Sequence, residues 1–135
     1  MQGKIALITI LTDNIPAMLR FYRDVLGFQV KSDQGKYVEF ENAGVRFAIC
    51  SRLIMRSVTG HASYRHSKAG QSFELAFPLD IPEEVDHVYA DILAKGATPI
   101  KAPATMSWGH RTAFFADPDG NIHELFAELP GIIES

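Results

Sequence analysis

Several features are scarce or absent in this chain of 135 residues, and each absence narrows the fold or the function. The single cysteine, Cys50, leaves no partner for an internal disulfide, which favours a reducing compartment. No apolar run approaches the roughly 18 residues that a membrane-spanning helix needs. The segment 1–5 lacks the apolar core and cleavage site of a signal peptide. We therefore expect a cytoplasmic protein with no membrane partner.

The chain also lacks an excess of basic residues. Its formal net charge is −3, whereas binding to nucleic acid calls for a concentrated basic surface. We therefore expect no nucleic-acid partner. Hydrophobic residues make up 47% of the chain, which at this length is enough for one compact domain with a core of its own.

The order of apolar runs and breakers predicts an α+β fold. A helix should begin after the N-cap segment Thr12–Asn14, carry Pro16 in its first turn and end at Gly27. A second helix should run from about Pro82 to Lys95 and stop at Gly96. Strands are predicted at 4–11, from 28 onwards, at 36–40, 45–50, 72–78 and 97–101, and in a hairpin over 113–126. Residues 52–71 have no clean periodicity and are predicted to form a long, partly helical, basic connection.

The hairpin has the clearest turn signal, the sequence Asp-Pro-Asp-Gly at 117–120, which favours a tight type I turn. If residues 116 and 121 flank the turn, the facing pairs are 115 with 122, 114 with 123 and 113 with 124. Glu124 would then share a face with Arg111, and His123 would point to the opposite face, covered by helices. A carboxylate in an apolar strand is costly to bury without a partner, so Glu124 is a candidate functional residue.

The predicted elements occur twice in the same order. Residues 5–26 match residues 72–93 at an offset of 67, and residues 37–50 match residues 113–126 at an offset of 76. The chain is thus predicted to contain two βαβββ modules, at about 4–51 and 72–128, joined by the connection at 52–71.

Two motifs resemble a known family. Phe21–Phe28 (FYRDVLGF) resembles the first-helix signature of the vicinal-oxygen-chelate superfamily, which includes glyoxalase I, bleomycin-resistance proteins and extradiol dioxygenases. The sequence Asp-Pro-Asp-Gly-Asn followed by Glu124 resembles the motif near the end of its second module. The resemblance implies a single domain over 1–135, in which two βαβββ modules form a cupped eight-stranded mixed sheet around a cavity, usually in a homodimer. It does not fix the reaction, because one fold supports many chemistries.

The resemblance also implies which positions would hold a metal. The four ligand positions of catalytic members fall here on Leu7, Ala48, Glu74 and Glu124. Only Glu74 and Glu124 can bind a metal, and zinc, nickel and iron favour nitrogen donors and three or more protein ligands. We therefore expect no resident cofactor, with a divalent ion such as Mg²⁺ or Mn²⁺ as the alternative.

Strand alternation adds other candidate cavity residues to the two glutamates. Arg46 is predicted to sit opposite Glu39, and Trp108 and His110 lie at the entrance of the last hairpin. The predicted ligand-binding set is Glu74, Glu124, Arg46, Arg111, Trp108 and His110. Three roles stay open for the glutamates: carboxylates neutralised by Arg46 and Arg111, metal ligands, or a general acid/base.

Two functions follow from these expectations, beside a regulatory or interaction role for the same fold. The first is a binder of a small organic molecule without a full catalytic metal site; the basic connection at 52–71 favours an anionic ligand. The second is a metal-dependent enzyme of lyase, dioxygenase or transferase type that uses Glu74 and Glu124. Loss of donors at Leu7 and Ala48 favours the first. We also predict no lactoylglutathione lyase activity, because the resemblance implies that this reaction needs all four ligands and a thiol-conjugate site.

Overall fold

The computed structural model describes residues 1–131, which form two compact units. The first unit spans Met1–Ala69 and the second begins at Gly70, so the boundary falls inside the predicted connection. The first unit contains β1 (Leu7–Thr12), α1 (Ile15–Arg20) continued by a π-helical turn (Phe21–Val25), β2 (Val30–Asp33), β3 (Tyr37–Phe40), β4 (Arg46–Ser51), α2 (Arg52–Thr59) and a 3₁₀ turn (Ala62–Arg65).

The second unit repeats the first part of this order. It contains β5 (Ala76–Pro78), α3 (Pro82–Ala94), β6 (Thr98–Thr105), β7 (His110–Ala116) and β8 (Ile122–Glu128). Within residues 1–131, no helix is both long enough and apolar enough to cross a membrane.

Each unit has one four-stranded mixed sheet with the same strand order, β1-β4-β3-β2 in the first and β5-β8-β7-β6 in the second. The first and last strands of each module are parallel neighbours: Thr9 lies opposite Ala48, and Ala76 lies opposite Glu124. Ala76 follows Thr9 by 67 residues and Glu124 follows Ala48 by 76, so both predicted offsets are confirmed. The predicted α+β fold of two βαβββ modules is confirmed, with its eight strands in two sheets.

The local signals for the helices act as predicted. The Asn14 side chain accepts a hydrogen bond from the Ala17 N–H, and the proline next to α1's first residue needs no donor there. After the π-helical turn, Gly27 has a φ of 85°, a left-handed conformation that a residue with a Cβ rarely adopts. The connection at 52–71 is partly helical, as expected, because it includes α2.

Some strand bounds differ from the prediction. β1 begins at Leu7 rather than at residue 4, β5 is limited to Ala76–Pro78, and β6 extends to Thr105. The segment before β5 is still attached to the sheet, since Gln71 donates to the Gly120 carbonyl and accepts from the Ile122 N–H.

The core of the first unit is a cluster of aromatic rings between the helix and the sheet. Tyr22 and Phe40 are at most 1% exposed. Ring centroids lie 5.3 Å apart for Tyr22 and Phe47, and 5.9 Å apart for Phe28 and Phe40. These rings occupy one sheet face, so the opposite face of β3 and β4 carries Glu39 and Arg46 instead.

The hairpin between β7 and β8 forms, but the predicted facing pairs are wrong by one residue. Phe115 faces His123 and Phe114 faces Glu124. The Gly120 N–H donates to the Asp117 carbonyl, as in the predicted type I turn, and the Asp117 N–H donates to the Asn121 carbonyl. Gly120, with a φ of 83°, adds an extra residue to the turn, so Asp117 and Asn121 face each other. Because a shift of one residue moves side chains to the other face, the change decides which groups surround Glu124.

Candidate functional site

The sheet of the second unit has two different faces. Helix α3 packs on one face through its buried residues Val85, Tyr89 and Ile92. The Tyr89 hydroxyl donates to the Phe114 carbonyl. Alternate residues of β8, from His123 to Ala127, are buried, whereas Ile122, Glu124 and Phe126 of the same strand point to the other face and are partly exposed. We call the latter the Glu124 face; it also carries His110, Thr112, Phe114, Ile122 and Phe126.

Arg111 does not share the face of Glu124. It lies opposite Ala127, and its guanidinium forms a bidentate ion pair with Asp86 on α3, with N–O distances of 2.9–3.2 Å. A further N–H donates to the Thr105 hydroxyl at 3.1 Å. The predicted shared face was therefore wrong, and the Arg111 charge is compensated by a carboxylate that the sequence did not single out.

Glu124 lies at the centre of its face, between β5 and β7. Ala76 is opposite it on one side and Phe114 on the other, and its backbone N–H donates to the Leu75 carbonyl at 2.9 Å. Burial raises the pKa of Glu124, the negative charge of Glu74 raises it further, and His110 lowers it. Glu74 precedes Ala76, the strand partner of Glu124, by two residues, and the register of β7 and β8 puts His110 on the same face as Glu124.

Aromatic and polar groups surround these carboxylates. The His110 ring stacks on Phe126, with centroids 5.2 Å apart and planes 25° apart. Thr112 faces Phe126 on the next strand and is fully buried, and its hydroxyl has no hydrogen-bond partner within residues 1–131. Sequence reasoning missed Thr112; alternation along β7 would have placed it on this face with the correct hairpin register.

Trp108 lies outside the strands, in the turn between β6 and β7, and its residue is 62% exposed. The turn is closed by a bond from the Gly109 N–H to the Met106 carbonyl, at the end of the sheet where His110 begins β7. Its place in a ligand site stays a prediction.

His123 is packed on the helix-covered face, as alternation predicted. Its Nδ1 accepts from the Leu75 N–H at 3.2 Å, and its Nε2 lies 3.7 Å from the Asp117 carboxylate. Phe73, Phe77 and Phe115 surround the ring. His123 thus joins the segment before β5 to the hairpin and is a structural residue.

The first unit has a different chemistry at the equivalent positions. Arg46 pairs with Glu39 as predicted, with N–O distances of 2.7 and 3.0 Å, although Ala48 is the residue directly opposite Glu39. Lys31 approaches the same carboxylate at 3.8 Å, and the hydrogen bond from Arg46 lowers the pKa of Glu39. This pair leaves Ala48, which has no donor atom in its side chain, at the position that corresponds to Glu124.

The donor set does not fit a transition metal of the kind the family implies. Glu74 and Glu124 supply carboxylates in the second unit, whereas Leu7 and Ala48 supply no donor in the first. Within residues 1–131, no group of three or more His, Cys, Asp or Glu side chains is arranged to hold a metal ion. Two carboxylates alone form a weak site for ions that favour nitrogen donors.

The environment of Glu124 predicts a pH-dependent stability. Its pKa is raised above the unfolded value of about 4.3, so the folded state holds the proton more tightly. The free energy of unfolding therefore falls as pH rises from the pKa of the unfolded state through that of the folded state. Replacing Glu124 with Gln removes this cost. We expect E124Q to melt roughly 3 °C higher than the native protein at pH 8, with the difference vanishing near pH 4.

Differential scanning calorimetry at both pH values measures this effect. E83Q is the matched control because Glu83 lies in the first turn of α3, where a negative charge is favourable. It should melt at the same temperature or slightly lower. A lower melting temperature for E124Q at pH 8 would mean that the Glu124 carboxylate is stabilised by a partner.

Comparisons with known proteins agree with this fold. The model of the glyoxalase/bleomycin resistance protein/dioxygenase superfamily matches residues 4–125. The uncharacterized protein YraH of Bacillus subtilis (strain 168) is 29% identical over 130 residues, which cover 93% of this chain and 99% of YraH.

Solved structures give the same result. A glyoxalase/bleomycin resistance protein/dioxygenase from Nocardioides superposes with a TM-score of 0.85 at 27% identity. The alignment covers 100% of this chain and 89% of the Nocardioides chain. A family enzyme from Burkholderia phytofirmans PsJN gives a TM-score of 0.84 at 26% identity, and the alignment covers 94% of this chain and 100% of that enzyme's chain. The match of the family model over nearly the whole length establishes that this chain belongs to the glyoxalase/bleomycin resistance protein/dioxygenase superfamily.

Proposed function

We propose that this protein binds a small organic molecule on the Glu124 face, without a complete catalytic metal site. One observation carries the proposal: the four family ligand positions hold two carboxylates, Glu74 and Glu124, and two side chains without donors, Leu7 and Ala48. A chain that keeps the fold but lacks half of the metal donors is suited to binding rather than to metal-dependent catalysis.

The surroundings of Glu124 support a ligand site. The face combines a few polar groups with apolar and aromatic side chains, which is the composition typical of small-molecule sites. His110 and Phe126 offer a stacked pair of rings, and Glu124 is held in a strand, where its position is fixed.

A metal-dependent enzyme is the second candidate. It is favoured by the place of Glu74 two residues before Ala76, the strand partner of Glu124, since two carboxylates with water or substrate oxygens can hold Mg²⁺ or Mn²⁺. The two functions differ in metal content, which gives a direct test.

The test is elemental analysis of protein purified without chelators, followed by a thermal-shift screen with Mg²⁺, Mn²⁺, Ni²⁺, Zn²⁺ and a library of small organic molecules. We expect substoichiometric metal, no shift with any of the four ions, and a rise of about 5 °C or more with a saturating organic ligand. Stoichiometric metal that is lost in E124A and kept in E83A would contradict the proposal and favour the enzyme.

A further inference from the structure

We propose that the ligand of the Glu124 face carries a positively charged nitrogen attached to an aromatic or apolar group, with the nitrogen bound by Glu124 and Glu74. This inference rests on the proposed function and names the class of ligand. It differs from the anionic ligand that the basic residues of the sequence favoured.

The first argument concerns charge. The two arginines expected to neutralise the glutamates are engaged elsewhere, Arg46 with Glu39 and Arg111 with Asp86. Within residues 1–131, neither Glu74 nor Glu124 takes part in an ion pair. Lys101 on β6 lies opposite Phe114 and so shares the face, but it is two strands from Glu124, roughly 10 Å away.

The electrostatics of Glu124 follow from this arrangement. Glu124 is half-buried in β8, and Glu74 precedes its partner Ala76 by two residues, so alternation places a second negative charge on the same face. A cation between the two carboxylates would offset both the burial of Glu124 and its repulsion by Glu74. An anionic ligand would add a third negative charge to the same place.

The second argument comes from an independent group on the same face. The Thr112 hydroxyl is fully buried and has no hydrogen-bond partner within residues 1–131. Thr112 faces Phe126 on β8, which is the next residue after Glu124 on this face. A buried hydroxyl without a partner is costly, and an N–H of the ligand would satisfy its oxygen.

The third argument concerns the rest of the ligand. Phe114 faces Glu124, and the His110 ring lies over Phe126. Aromatic faces attract cations and pack against planar apolar groups, so the surface beside the carboxylates suits both parts of such a molecule. Ammonium and amidinium groups attached to a ring combine these features.

The experiment compares three pairs of probes of similar shape: benzamidine with benzamide, benzylamine with benzyl alcohol, and phenethylamine with 2-phenylethanol. Binding is followed by amide chemical-shift changes in NMR titrations at pH 8. We expect at least one cation to bind tenfold or more tightly than its neutral partner.

Variants assign the effect to the site. E124Q should lose most of the preference for the cation, T112V should weaken the same probe less, and E83Q on α3 should leave it unchanged. Equal binding of cation and neutral partner in all three pairs, or a preference that survives in E124Q, overturns the inference. If the library screen finds only neutral or anionic ligands, the inference fails while the proposed function stands. If no organic molecule binds, the proposed function fails as well.

Discussion

Replacing Asp117 with Ala is expected to destabilise the protein by about 2–4 kcal/mol, a loss of roughly 10 °C in melting temperature. Asp117 is 2% exposed, and its carboxylate accepts from the Asp119 N–H, the Asn121 N–H and the Asn121 side-chain amide at 2.9–3.0 Å. The Ala variant leaves these donors without the acceptor, and hydrogen bonds to a charged group contribute more than neutral ones.

The matched control is Asp119→Ala, since Asp119 is in the same turn but exposed. Its effect should stay below about 1 kcal/mol. Asp117→Asn should fall between the two, because one carboxylate oxygen becomes an amide that cannot accept from Asn121. Urea denaturation of the three variants measures the differences. If Asp117→Ala lies within about 0.5 kcal/mol of the native protein, the carboxylate does not hold the turn.

Replacing Phe40 with Ala is expected to cost about 3–5 kcal/mol, because it opens a cavity at the centre of the first unit. Phe40 is 1% exposed and its ring centroid lies 5.5–5.9 Å from those of Tyr22, Phe28 and Phe47. Both the apolar transfer energy of the ring and its contacts with three neighbours are lost.

Two further variants test the cause. Phe40→Leu should recover more than half of the loss because it refills most of the cavity. Leu53→Ala removes an exposed leucine of α2 and should change stability by no more than about 0.5 kcal/mol. The measurement is the midpoint and slope of urea denaturation. A loss below about 1.5 kcal/mol for Phe40→Ala would show that the aromatic cluster is not the core of this unit.

The hairpin explains why the candidate site was only partly predictable. Asp-Pro-Asp-Gly at 117–120 was sufficient to predict a type I turn, but not which residues face each other across it. That pairing depends on the backbone conformation of Gly120. Gly120 is left-handed, which adds a residue to the loop and brings Asn121 opposite Asp117. A glycine at this place followed by asparagine is the signal that could have given the correct register.

The shift of one residue in the register of β7 and β8 decided which side chains surround Glu124. It moved Arg111 to the face of α3, where Asp86 binds it, and moved His110 and Thr112 to the face of Glu124. The predicted face with balanced charges became one whose carboxylate, Glu124, has no ion pair within residues 1–131. The same register left His123 on the buried face, because its position relative to Glu124 depends only on alternation along β8.

The sequence alone determined the α+β fold, the two modules and the family, because these depend on local signals and on spacing. The N-cap at Asn14, the stop at Gly27 and the two repeat offsets act within short segments, and each was visible in the residue order. The identities of Leu7, Ala48, Glu74 and Glu124 at the four family positions were equally readable.

Only the tertiary structure decided which carboxylates have partners. Glu39 and Asp86 each bind an arginine, whereas Glu124 has no ion pair within residues 1–131, and burial and the charge of Glu74 raise its pKa. Pairing of charges requires side chains to meet on the same face at hydrogen-bond distance, and a shift of one residue between strands exchanges the two faces. The chemistry of this site is therefore set by strand register, which the turn fixes through the Asp117 carboxylate.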